Sequence, residues 1–192
     1  MEKLRVGLAL TGSYCTYDRI MSMARRLAGE YDLVPIMSEN SYGTDSRFGD
    51  AAEFIAQLES MTGRRVISTI TGAEPIGPRA LLDALVIAPC TGNTIAKLAN
   101  GVTDSAATMA AKAHLRNGGP VIIAVSTNDA LSGNARNIGE LMARKGYYFV
   151  PFYQDDPVKK PTSAVADFDL VEDTVTAAVA GRQLQPVLRE KR

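Results

Sequence analysis

The chain has 192 residues, 46% of them hydrophobic, with 21 basic and 21 acidic side chains. That is enough for one good core and too little for a second large domain. Balanced charge gives no general attraction for nucleic acid or an anionic membrane, so a charged ligand must be held by a local site. Cys15 and Cys90 are too few for a disulfide framework, no secretory signal is visible, and no apolar stretch approaches the roughly 20 residues that cross a bilayer. The expectation is a cytoplasmic chain whose partners are a small molecule or another protein, not nucleic acid or a membrane.

Residues 4–10 (LRVGLAL) form a short apolar run, read as a strand, that ends at a tight turn of Thr11, Gly12 and Ser13. Beyond it, Ile20, Met23, Ala24 and Leu27 recur at helical spacing. Residues 31–37 (YDLVPIM) read as a second strand, 38–49 as a polar loop, and Ala51, Phe54, Ile55 and Leu58 as the apolar face of a second helix. Residues 83–88 (DALVIA) and 121–125 (VIIAV) are largely apolar, the pattern of strands covered on both faces. A helix over 138–144, a strand over 147–150 and a last helix over 171–179 complete the series. One domain is expected over residues 1–186, followed by a charged tail over 187–192.

Strands alternating with helices predict an α/β fold, an open parallel sheet wound on both faces, in which ligands bind at the carboxyl ends of the strands. Three turns fall on that edge, at 11–13, 89–94 and 126–128. Their backbone N–H groups, hydroxyls and small side chains suit a phosphate or a planar ring, hence a mononucleotide better than a metal ion. The Gly-Ser turn lacks the spaced glycines of a dinucleotide fingerprint and a Walker lysine, so by itself it equally fits a plain strand-to-helix turn.

Residues 88–105, APCTGNTIAKLANGVTDS, resemble the PASANT segment of the homo-oligomeric flavin-containing cysteine decarboxylases, with Pro89, Asn93 and Thr94 in the matching places. Gly12 and Ser13 resemble the Gly-Ser turn that opens the same family. The resemblance implies a flavodoxin-like fold, FMN as the bound group, and assembly as trimers or multiples of them. It gives FMN contacts to Gly12, Ser13, Thr91 and Thr94, with Ser38 joining from the end of the second strand; Pro89 and Asn93 of the same segment and, by the position of the third turn, Ser126 and Thr127 complete the expected cofactor site. Asn93 orders the loop or meets the substrate. A closer match inside the family, carried by residues 69–129 and 147–168, implies one component of a two-component enzyme from spore-forming bacteria. It would work beside a separate A subunit in making pyridine-2,6-dicarboxylate from a dihydropyridine precursor.

The decarboxylases carry a histidine ahead of the strand that enters the PASANT segment, but residues 66–83 (VISTITGAEPIGPRALLD) contain none. The only histidine, His114, reads as structural, at a helix end. Residues 126–137 (STNDALSGNARN) replace the family's methionine-rich substrate clamp. Both departures argue against decarboxylation of a peptidyl cysteine and leave the catalytic residues unassigned. Cys90 reads as a small buried filler, and Tyr42, Tyr147 and Tyr148 as packing and surface residues. Candidate substrate contacts are Asn128, Arg136, Lys159 and Lys160, because cations suit a dicarboxylate; the charged ones equally fit a solvated face. Two functional readings remain. One is a flavin-dependent oxidoreductase subunit whose flavin ring accepts a hydride from the dihydropyridine. The other is a non-catalytic nucleotide-fold module that stabilises or presents substrate to the A subunit.

Overall fold

In a computed structural model that describes residues 3–190, the first apolar run forms strand β1, Arg5–Leu10, buried at every position after Arg5. Helix α1, Tyr17–Glu30, buries Ile20, Met21, Met23, Ala24 and Leu27, the face set by their three- and four-residue spacing. Strand β2 is Asp32–Met37. The expected polar loop contains a short helix, α2, Glu39–Gly43, where Ser38 Oγ accepts from Ser41 N at 3.3 Å. Helix α3, Ala51–Thr62, stops at Gly63, whose φ of 65° is the left-handed conformation that ends helices cheaply only in glycine. A single turn, α4, Ile70–Ala73, precedes strand β3.

Strand β3, Ala84–Cys90, is buried throughout and takes in Pro89 and Cys90, which the sequence pattern assigns to the following turn. Helices α5, Gly92–Ala99, and α6, Ala106–Leu115, lead to β4, Val121–Thr127. A capping box starts α6, in which Ser105 and Thr108 satisfy each other's backbone N–H. Helix α7, Ala135–Ala143, strand β5, Tyr147–Phe149, the short strands β6, Phe152–Tyr153, and β7, Ala164–Ala166, and helix α8, Val171–Val179, complete the chain.

Strands β1 to β5 are parallel in the order β2-β1-β3-β4-β5, which is the flavodoxin-like arrangement. The sheet is not wholly parallel, however. Strand β7 pairs antiparallel with the end of β4, through Ser126–Val165 and Thr127–Ala164, and β6 pairs antiparallel with β7. Helices α1 and α8 cover one face, and Arg26 of α1 pairs at 3.0 Å with Asp169 in the 3-10 turn, Phe168–Leu170, that leads into α8. Helices α4 to α7 form the other layer, packed as α4 on α6 and α5 on both α6 and α7. Right-handed crossovers separate α1 from the helices between β2 and β5, because the chain leaves β1 in one direction for β2 and moves in the other from β3 onward. No helix among the described residues is long and apolar enough to cross a membrane.

The segment expected as a tail is docked as far as Arg189. Phe152 N donates to Val187 O and Arg189 N to Phe152 O, both at 3.0 Å, and the Arg189 guanidinium lies 2.7 Å from Asp167. An edge strand with free N–H and C=O groups takes up whatever chain can pair with it. The last two residues of that tail lie outside the described residues.

Candidate functional site

Chain direction reverses about β1 and β3, so the turns after them splay and leave a crevice at their carboxyl ends. Thr11 ties the two strands together there. Its Oγ1 donates to Pro89 O at 2.6 Å and accepts from Thr91 N at 3.1 Å. Tyr17 OH donates to Thr11 O at 3.1 Å, and burial pushes this phenol up to about 12, which keeps it a neutral donor. Ser13 Oγ and Ser126 Oγ, 2.8 Å apart, join the first turn to the end of β4.

Thr91 caps α5. Its Oγ1 accepts from Thr94 N at 3.3 Å and lies 3.0 Å from Thr94 Oγ1. The N–H groups of Gly92 and Asn93, in the first turn, have no intrahelical acceptor and add the positive end of the helix dipole. Position 92 demands glycine, because a Cβ would fall 2.5–2.6 Å from Asp129 Oδ1, Asn134 Nδ2 and Thr127 Oγ1. Those groups bond one another, Thr127 Oγ1 to Asp129 Oδ1 at 2.5 Å and Asn134 Nδ2 to Asp129 Oδ2 at 2.7 Å. The helix N-terminus is thereby seated on the loop after β4.

Two adjoining hollows share Gly12 and Thr91. The smaller, about 410 Å³, is lined by Ser38, Asn40, Asn93, Thr94, the Lys97–Asp104 pair and Glu39, whose Oε1 accepts from Ala106 N at 3.1 Å. The larger, about 770 Å³, is lined by Ser13, Ser126, Thr127 and Asn128 together with Arg19, Arg47, Asp155 and Lys160. Partial burial pushes the Asp155 carboxyl up, but hydrogen bonds from Ser163 and Lys160 outweigh it and hold the group below its ordinary value. Lys160 is raised in turn by the same bond, at 3.1 Å.

The fold thus gathers Gly12, Ser13, Ser38, Thr91, Asn93, Thr94, Ser126, Thr127, Asn128 and Lys160 around one crevice. Pro89 is buried within β3 and contributes only its carbonyl, to Thr11. Lys159 and Arg136 are not brought there. Lys159 is exposed on its loop, its N–H tied to Asp156 Oδ1 at 3.0 Å, and Arg136 is exposed on α7. Sequence reasoning puts Thr11 in the first turn without foreseeing its bonds to Pro89 and Thr91, and it misses Arg19 and Arg47, which look like any solvated arginines until tertiary contacts place them.

Cys15 is exposed and borders the larger hollow, its Sγ 4.0 Å from Ser13 Oγ, whereas Cys90 and His114 stand apart. Cys90 is fully buried, and burial pushes its thiol up, so it is a packing group. His114 is 2% exposed inside α6, its ring against Gly119, where a Cβ would lie 2.2 Å from Cε1. Burial holds its imidazole below the ordinary value, against the opposing pull of the Pro120 backbone and Asp83. Neutral and remote from the crevice, it does not serve the helix dipole as a cation. Tyr42 is exposed, and Tyr147 and Tyr148 are half-buried against the core.

Residues 1–180 match the model of the Flavoprotein family. Over 187 residues the chain is 47% identical to the B subunit of dipicolinate synthase from Bacillus subtilis strain 168, covering 97% of this chain and 94% of that relative. The crystal structure of the dipicolinate synthase B subunit from Bacillus halodurans C superposes with a TM-score of 0.91 at 44% identity, with 100% of each chain covered. Burkholderia xenovorans DmrB, solved in complex with FMN, shares the fold at a TM-score of 0.68 and 19% identity, covering 93% of this chain and 96% of that one. By sequence match along nearly its whole length and by fold, the chain belongs to the Flavoprotein family.

Proposed function

We propose that this chain is the FMN-binding B subunit of a dipicolinate synthase. It acts with a separate A subunit to oxidise dihydrodipicolinate to dipicolinate, pyridine-2,6-dicarboxylate, in the cytoplasm of a sporulating cell. The observation that carries the reading is the paired crevice at the β1–β3 switch, where a hollow of hydroxyl and N–H donors opens into a wider one with arginines at its rim. The identity to B subunits over nearly the whole chain supports it.

The donor set fits FMN. Ser38, Thr91, Thr94 and the first N–H groups of α5 suit the phosphate, and Ser13, Ser126 and Thr127 offer hydrogen bonds to a ring edge in the larger hollow. Gly12 keeps the wall between them low, since even an added Cβ would meet only the Tyr14 ring, at 3.7 Å. Bound FMN supplies the hydride acceptor that aromatisation of a dihydropyridine needs. Asn128 and Lys160 remain candidate substrate contacts from the lining of that hollow. Lys159 and Arg136 stay outside it. Assembly as a homo-oligomer, a trimer or a multiple of one, belongs to the same reading.

Aromatisation also releases a ring proton. His114 and Cys90 are buried away from the hollows, Asp155 is held below its ordinary value, and the carboxylates of the smaller hollow are engaged, Glu39 by Ala106 N at 3.1 Å and Asp104 by Lys97 at 2.8 Å. On this reading the A subunit supplies that base. The same observation favours a second reading, a module that retains the nucleotide fold and only presents substrate to its partner. A visible spectrum after FMN addition, together with dihydrodipicolinate oxidation by each chain separately and by the two mixed, distinguishes the readings. The first expects a yellow protein and turnover only in the mixture. A colourless protein whose mixture with the A subunit turns over without FMN supports the second, and full turnover by this chain alone refutes the dependence on the partner.

A further inference from the structure

We infer that Arg19 and Arg47 are the carboxylate anchors of the larger hollow and that they select a planar dianion carrying two carboxylates. The inference rests on the flavin-site reading above, and it replaces the lysines and Arg136 as principal anchors.

Three cations line this hollow, Arg19, Arg47 and Lys160, against the single carboxylate of Asp155, which leaves an excess of two positive charges. Lys160 is already engaged by Asp155 at 3.1 Å. The ion pairs of the described residues engage Arg5, Arg26, Arg64, Arg65, Arg144 and Arg189, but neither Arg19 nor Arg47. Each of these two instead rests on an aromatic face. The Arg19 guanidinium carbon lies 4.9 Å from the centre of the Phe168 ring, and that of Arg47 lies 4.8 Å from the centre of the Phe48 ring.

A guanidinium lying on a ring keeps its N–H edge open and loses rotamer freedom beforehand, so a carboxylate can take it in the two-pronged geometry at small further entropic cost. Arg19 comes from α1 and Arg47 from the segment between α2 and α3, so they approach from different parts of the fold. Arg19 also borders a hollow with Asp167, Asp169 and Glu190, but Asp167 is paired with Arg189 and Asp169 with Arg26. A dianion must exchange strong hydration for protein partners, and two guanidinium groups outside the ion pairs match its charge. The hydroxyls of Ser13, Ser126 and Thr127 line the same hollow and add hydrogen-bonding groups for the ring.

The test titrates the full-length, FMN-loaded protein with pyridine-2,6-dicarboxylate and with pyridine-2-carboxylate by calorimetry. Wild type, Arg19→Gln, Arg47→Gln and the two Arg→Lys variants are compared, with FMN affinity read separately by fluorescence. Wild type should prefer the dicarboxylate. Each glutamine variant should lose about tenfold in dicarboxylate affinity, the effect of one charged hydrogen-bonded pair, narrow the preference for two carboxylates and keep its FMN affinity and melting temperature. Each lysine variant should recover part of the loss. If wild type takes up FMN and the dicarboxylate while both glutamine variants bind the dicarboxylate as well as wild type, the anchors are misassigned and the flavin reading stands. A wild type that binds FMN but shows no preference for the dicarboxylate also overturns the assignment. If wild type takes up no FMN, the flavin reading fails and this inference fails with it.

Discussion

Gly92 and His114 show two ways in which a single residue bears on this site. Glycine at 92 lets α5 begin in direct contact with Asp129, Asn134 and Thr127. Gly92→Ala should lower stability by about 1–3 kcal/mol, the usual cost of overpacking, and should weaken FMN binding by displacing the helix start. Denaturant melts and FMN titration check this, and an unchanged midpoint would show that the neighbouring side chains yield freely. His114 acts through pH. Burial makes its folded imidazole harder to protonate than the unfolded one. Its stabilising balance is therefore complete above the ordinary histidine value of 6.5 and is lost as pH falls below that value toward the lower folded one. Urea midpoints should rise with pH over roughly 5 to 7, and His114→Gln should flatten that slope. An identical slope in the variant would remove His114 as its cause.

At the level of elements, the start of α5 is held by one side chain. Thr91→Ala removes the acceptor for Thr94 N and should cost about 1 kcal/mol, whereas Thr91→Ser, which keeps the oxygen, should restore most of it. If the two variants unfold at the same denaturant concentration, the cap contributes nothing. The pairing of β7 with Ser126 and Thr127 matters as much, because it anchors the segment before β7 whose Asp155, Lys160 and Ser163 line the larger hollow. Three residues of β7 and two of β6 have no alternation long enough to read as strands, so their existence was invisible in the sequence.

At the scale of the whole molecule, flavin uptake should be separable from folding. An added side chain at Gly12 meets only ordinary contact with Tyr14, at 3.7 Å, and so Gly12→Val should melt like wild type while losing FMN affinity through crowding of the ligand. Equal FMN affinity in a folded Gly12→Val protein would move the flavin away from this turn. Light scattering on the same samples tests the oligomer: a monomer with full FMN affinity would show that no neighbouring copy of the chain completes the site.

What the sequence determined by itself were the features that depend on neighbours in the chain. The apolar runs that became β1, β2, β3 and β4, the helical spacing of α1, α3 and α8, and the hydroxyl-rich turns after the strands all follow from local periodicity. Their alternation was enough for a doubly wound α/β sheet, and the PASANT-like segment for a flavodoxin-like one. What only the tertiary structure decided were the features that depend on residues far apart. Strand order puts Thr11 and Thr91 side by side across 80 positions, β7 brings Lys160 to the crevice, and Lys159, its neighbour in sequence, stays outside it. Arg19 and Arg47 join the same hollow from different elements. Charge and hydropathy describe each arginine alone; only packing, driven by burial of the strands between two helical layers, decides which of them share a cavity.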